Sequence, residues 1–183
     1  MEELAPERQM RRATGAAILI LFGAAWLCWG ANRLLQHPYP ALILIGVVAV
    51  ACFLWALRIR GRAQKKAGVA APKTPEERRR DRWFHIINAG QWVVIFIVGN
   101  VLNNLGLAQW LVPLIMLVVG LHFLPLARLF EVKLYYLSGA ALVLIACVYP
   151  FLVHGGPESG IGPLLAGLVL WGNAASALRS ATT

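Results

Sequence analysis

The 183-residue chain is 59% hydrophobic and 14% charged, against roughly 45–50% and about 25% in soluble domains. Its 17 Lys and Arg outnumber 8 Asp and Glu, for a net charge of +9. Low charge with high apolarity excludes a disordered chain, and apolar runs as long as a bilayer is thick exclude an ordinary soluble domain.

A bilayer core of about 30 Å is crossed by about 20 apolar residues at 1.5 Å each. Six stretches qualify, at residues 14–31, 41–57, 84–102, 107–127, 134–153 and 161–178. Hydrocarbon offers backbone groups no water, so each must be helical. The blocks are apolar on every face, unlike the alternating strands of a barrel. The expected fold is an all-α membrane protein with six transmembrane helices in a single domain over 1–183. The first block carries Trp26 and Trp29 and lacks a small-x-small cleavage site, so it reads as a retained span.

The chain opens on Arg8, Arg11 and Arg12 ahead of span one. The link at 58–82 carries ten basic residues, spans four and five are joined through Arg128 and Lys133, and Arg179 follows span six. With six spans, all but Arg33 of the 17 basic residues share one side. That asymmetry places both termini in the cytoplasm. The first half of the link, 61–72, is rich in Ala, Gly and Lys and reads as mobile. The second half holds a capping box, Thr74-Pro75-Glu76-Glu77. A helix is expected to start there and run unbroken into span three, supported by pairs such as Glu76–Arg80.

The outer connections are short: residues 33–40, the Asn103-Asn104-Leu105-Gly106 turn, and the Gly-rich run 154–160. They force antiparallel hairpins. Span one (Thr14-Gly15-Ala16-Ala17) and span five (Ser138-Gly139-Ala140-Ala141) look alike, and Pro40, Pro113 and Pro163 stand near the start of the even spans. Three hairpin repeats about an axis along the membrane normal are one expectation. Trp29, Tyr39, Trp83, Trp110, Tyr135, Tyr136 and Tyr149 fall near span ends and read as interfacial anchors.

Chemistry is scarce at depth. No Asp or Glu lies in any span, which removes carboxylate proton relays and acidic dyads. Cys28, Cys52 and Cys147 sit in separate spans without a C-x-x-C. No metal site and no cofactor is expected, and no catalytic residue is assigned. Span three is the most polar: His85, Asn88, Trp92, Gly99 and Asn103 share one face, with Gln91 farther round. In span four, Pro125 frees the Leu121 carbonyl, and His122 stands in the cytoplasmic half. His85, Asn88, Gln91, Asn103 and His122 form a candidate polar cavity. The competing reading is interhelical hydrogen bonding, at about 0.6 kcal/mol per bond.

The basic link reads either as the orientation signal alone or as an anionic-lipid contact, at about 1 kcal/mol per basic residue. Its candidate headgroup contacts are Arg78, Arg79, Arg80, Arg82 and Arg128. No groove-reading element is present, so nucleic acid is not an expected partner. Small residues at Gly162 and Ala166, and at Gly172, Ser176 and Ser180, allow close packing within the chain or a homo-oligomer seam.

The segment from Trp83-Phe84-His85-Ile86-Ile87-Asn88-Ala89-Gly90-Gln91, through Gly120-Leu121-His122-Phe123-Leu124-Pro125-Leu126-Ala127-Arg128, to Tyr135-Tyr136 resembles a family of uncharacterised small bacterial membrane proteins. The resemblance covers about the last hundred residues and implies a bacterial membrane setting without an activity to transfer. The three-hairpin layout also looks like a six-span bacterial group linked to acid stress, with no shared residue motif.

The leading expectation is a non-enzymatic protein of the bacterial cytoplasmic membrane, acting through lipid or membrane-protein interaction. The alternative is a small permease or channel for a neutral or weakly polar solute. An enzyme would need His122, Arg128 and Glu131 to converge at the cytoplasmic face.

Overall fold

A computed structural model describes residues 6–67 and 74–182. The chain forms six long helices: α1 (Pro6–Leu34), α2 (Tyr39–Ala67), α3 (Pro75–Asn104), α4 (Leu111–Phe130), α5 (Lys133–Leu152) and α6 (Ile161–Thr182). Each, α4 together with the 3₁₀ turn Ala108–Trp110 before it, is long and apolar enough to cross a membrane. Among the described residues there is no strand. The protein is an all-α, six-helix membrane protein. Where the sequence reads as one membrane domain, the chain divides into two compact units, Met1–Ala71 with Gly167–Thr183, and Pro72–Ala166.

The helices outrun the apolar blocks. Span two ends at residue 57 by hydropathy, yet α2 continues to Ala67. Residues 61–67 are therefore helical rather than mobile; the rest of that expectation, 68–72, lies outside the described residues. Ala, Arg, Gln and Lys are good helix formers, and the single Gly61 costs only about 1 kcal/mol. Hydropathy detects where lipid ends, whereas propensity decides where the helix ends.

In the first unit, α2 turns Ala49, Ala56 and Ala63 inward, seven residues apart, and α1 buries Ala13, Ala16 and Ala17. Small side chains at this spacing let helix backbones approach closely. The C-terminal part of α6 runs antiparallel to α1. Gly23 meets Gly167, the Trp171 indole N–H donates to the Ile20 carbonyl at 3.0 Å, and Arg12 donates to the Ser180 carbonyl at 3.0 Å. These three contacts keep a single register, and the last one satisfies a C-terminal carbonyl that α6 cannot pair itself.

In the second unit, α3 and α4 form an antiparallel hairpin. Gly106 takes a positive φ of 69°, and the Leu107 N–H reaches back to the Leu102 carbonyl at 2.8 Å. That is the six-to-one closure of a Schellman motif, in which glycine fits best. At the far end Phe84 and Phe130 meet edge-on at 5.7 Å. Helices α4 and α5 cross tightly: a Cβ at Gly120 would stand 2.9 Å from the Gly139 carbonyl oxygen, and one at Gly139 would stand 2.7 Å from that of Gly120. Phe123–Tyr135 at 5.5 Å and Trp110–Phe151 at 5.7 Å hold the same antiparallel register above and below.

Two sequence expectations change. Tyr149 is not an interfacial anchor. It is 3% exposed, its ring covers Gly162, and its hydroxyl donates to the Pro157 carbonyl at 3.0 Å. Gly162 and Ala166 pack inside the chain, but Gly172 faces open space, because it lies on the opposite side of α6 from Gly167.

Candidate functional site

The N-terminus of α3 is fixed by its sequence. Thr74 is extended (φ −65°, ψ 159°). Its hydroxyl accepts from the Glu77 N–H at 3.2 Å, and the Glu77 carboxylate accepts from the Thr74 N–H at 3.0 Å. Both halves of the expected capping box are present, and Pro75 occupies the first turn, where no donor is lost. From there the helix runs without a break to Asn104. The side chains from Pro75 to Arg82 are thus held in helical phase with the span.

That phase sorts the charges. Arg78, Arg79 and Arg82 are exposed, while Glu77, Arg80 and Asp81 are half-buried. Arg80 pairs with Glu77 at 3.9 Å, a contact of the kind that contributes about 0.2–1 kcal/mol. Pro75, Arg78, Arg79 and Arg82 line one open concavity of about 440 Å³. Of the five expected headgroup contacts, three therefore share a face. Arg80 lies on the other side of the helix, and Arg128 stands exposed in the last turn of α4. The Phe84–Phe130 contact brings that last turn beside the start of the α3 span.

Of the candidate cavity residues, His85, Asn88 and Asn103 share one face of α3, Gln91 lies farther round, and His122 stands on α4. His85 and Asn103 are exposed, and Asn88 and Gln91 are half-buried. The Asn88 amide donates to the Phe84 carbonyl of its own helix at 2.9 Å; Asn100 does the same to Phe96 at 2.8 Å. Such back-bonding satisfies a polar side chain without a partner helix. His85 stacks edge-on with Phe84 at 5.8 Å, and half-buried His122 with Phe123 at 6.4 Å.

Glu131 and Arg128 are both exposed, and Glu131 takes a left-handed conformation (φ 56°) that closes α4. The Val132 N–H bonds the Ala127 carbonyl at 3.1 Å across it. Glycine ordinarily fills such a position, so Glu131 has a backbone duty at the end of α4. Among the described residues, no group of three His, Cys, Asp or Glu side chains could hold a metal ion.

Two residues escaped sequence reading. Trp171 reaches the α1 backbone from mid-span. A tryptophan far from both interfaces was the available signal, since its N–H must find an acceptor. Tyr149 lies near a span end, and nothing local separates a buried tyrosine from an interfacial one there. Against protein-family models, curated proteins and solved structures, the chain matches nothing.

Proposed function

We propose that this protein is a non-enzymatic component of the bacterial cytoplasmic membrane, acting through interaction with lipid or with another membrane protein. Its basic ends face the cytoplasm. One observation carries the reading: four of the polar groups in the spans are committed to backbone contacts. Asn88 and Asn100 donate to their own helix, Trp171 to α1 and Tyr149 to the loop after α5. Buried side-chain N and O atoms among the described residues all have hydrogen-bond partners. Polar groups spent this way are satisfied within the fold and leave little to orient a reacting molecule.

The positive-inside distribution supports the orientation. A solute pathway along α3 is the competing reading. Proteoliposomes loaded with a panel of neutral and weakly polar solutes separate the two. The expected efflux equals that of protein-free vesicles, for the natural chain and for Asn88→Leu alike. Efflux at several times the empty-vesicle rate, abolished by Asn88→Leu, would establish the pathway instead.

A further inference from the structure

The two sides of α3 differ along its whole length, and the difference is continuous from the water-exposed turns into the span. At about 100° per residue, Arg78, Arg79 and Arg82 fall within about 100° of one another. Ile86, Val93, Phe96 and Ile97 fall in the same sector. These four are 50%, 56%, 72% and 53% exposed, in a helix whose one buried residue is Leu102. Glu77, Arg80 and Asp81 fall in the opposite sector with Phe84 and Leu102, the side that packs on α4. Both half-buried acids, and the Arg80 that pairs with Glu77, thus face protein, while the three exposed arginines stand directly above the surface that α3 shows to lipid tails.

Depth agrees with direction. Trp83 begins the apolar part of α3, and Arg78 lies five residues before it, or about 7 Å along the axis. The headgroup layer is about 5–7 Å thick on each side of a 30 Å core. The arginines therefore occupy the phosphate level, on the outside of the protein, and line an open concavity. Guanidinium forks match phosphate oxygens in pairs, and Arg78 and Arg82 are one turn apart, about 6 Å.

From this geometry we infer that Arg78, Arg79 and Arg82 form a binding site for the phosphodiester headgroups of anionic phospholipid, whose acyl chains lie along Ile86, Val93 and Phe96. The inference rests on the proposed interaction role and names its partner.

The test is lipid binding to the purified full-length protein in neutral detergent, measured by native mass spectrometry with phosphatidylglycerol, phosphatidylcholine and inorganic phosphate as separate probes. Phosphatidylglycerol is expected to bind well above phosphatidylcholine. Inorganic phosphate is expected to compete only weakly, because it lacks the chains. At about five-fold per basic residue, the Arg78→Gln/Arg79→Gln/Arg82→Gln variant is expected to lose about a hundred-fold in affinity, or about 2.8 kcal/mol at 1.4 per decade. Arg80→Gln is expected to change it less than two-fold.

Should the triple variant fail to fold, the three single variants are read, each at about five-fold. Equal losses from Arg80→Gln and from Arg79→Gln would overturn the site in favour of diffuse charge. Phosphate competing as well as lipid would overturn the lipid assignment. Loss of lipid binding with vesicle efflux still at background would sink this inference while leaving the non-transport role standing.

Discussion

Gly139→Leu is expected to separate α5 from α4 and to lower the stability of the protein by about 3 kcal/mol, the upper end for overpacking. At this crossing the obstacle is backbone. A Cβ on Gly139 would sit 2.7 Å from the Gly120 carbonyl oxygen and 3.1 Å from the Phe123 Cβ, and neither can swing aside as the end of a side chain could. In lipid, helices gain little by hiding apolar surface from one another, so close contact supplies most of the association. Widening this crossing would also pull Phe123 from Tyr135 and Trp110 from Phe151. Thermal unfolding in a mild detergent measures it: Gly139→Ala should fall between the natural chain and Gly139→Leu. A leucine variant melting within one degree of the natural chain would show that the helices do not meet there.

Gly167→Val should have the next largest effect, about 2–3 kcal/mol, at the crossing of α6 with α1. The new Cβ would stand 2.8 Å from the Gly23 carbonyl oxygen and 2.5 Å from the Leu27 Cγ. Leu27 can adjust, but the carbonyl cannot. The displacement also strains the Trp171 indole bond to Ile20, leaving a donor unpaired in an apolar setting at a further cost of about 1–3 kcal/mol. Titration with SDS in mixed micelles reads the result as an earlier midpoint. Gly172→Val is the internal control, because nothing stands within 4 Å of its Cβ position. Equal shifts from the two valines would contradict the crossing.

The contrast between Gly167 and Gly172 explains what could be read from the sequence. Apolar length alone gives the six helices, since lipid permits no other backbone state for such runs. The Thr74 capping box gives the start of α3, because both of its hydrogen bonds are local. Which glycine makes a crossing is not local. Gly46 stands in open space while Gly120 and Gly139 touch, and all three sit in similar apolar sequence. Only the partner helix separates these three.

The arginine face is intermediate. Its residues were evident from the charge run, and an unbroken helix fixes their phase. Setting Arg80 apart from Arg78, Arg79 and Arg82 required knowing which side of α3 packs on α4. The end of α2 at Ala67 was hidden for a different reason: hydropathy ceases at Leu57, but a helix of Arg, Gln, Lys and Ala continues into water on propensity.

Everything said of lipid and orientation depends on α3 entering the membrane from the cytoplasm with its arginines at that surface. Single cysteines replacing Arg79 or His154, in a chain whose Cys28, Cys52 and Cys147 are changed to alanine, test this with a membrane-impermeant maleimide. In intact bacteria the expected result is labelling of His154→Cys and none of Arg79→Cys until the membrane is opened. Labelling of Arg79→Cys from outside intact cells would contradict the account.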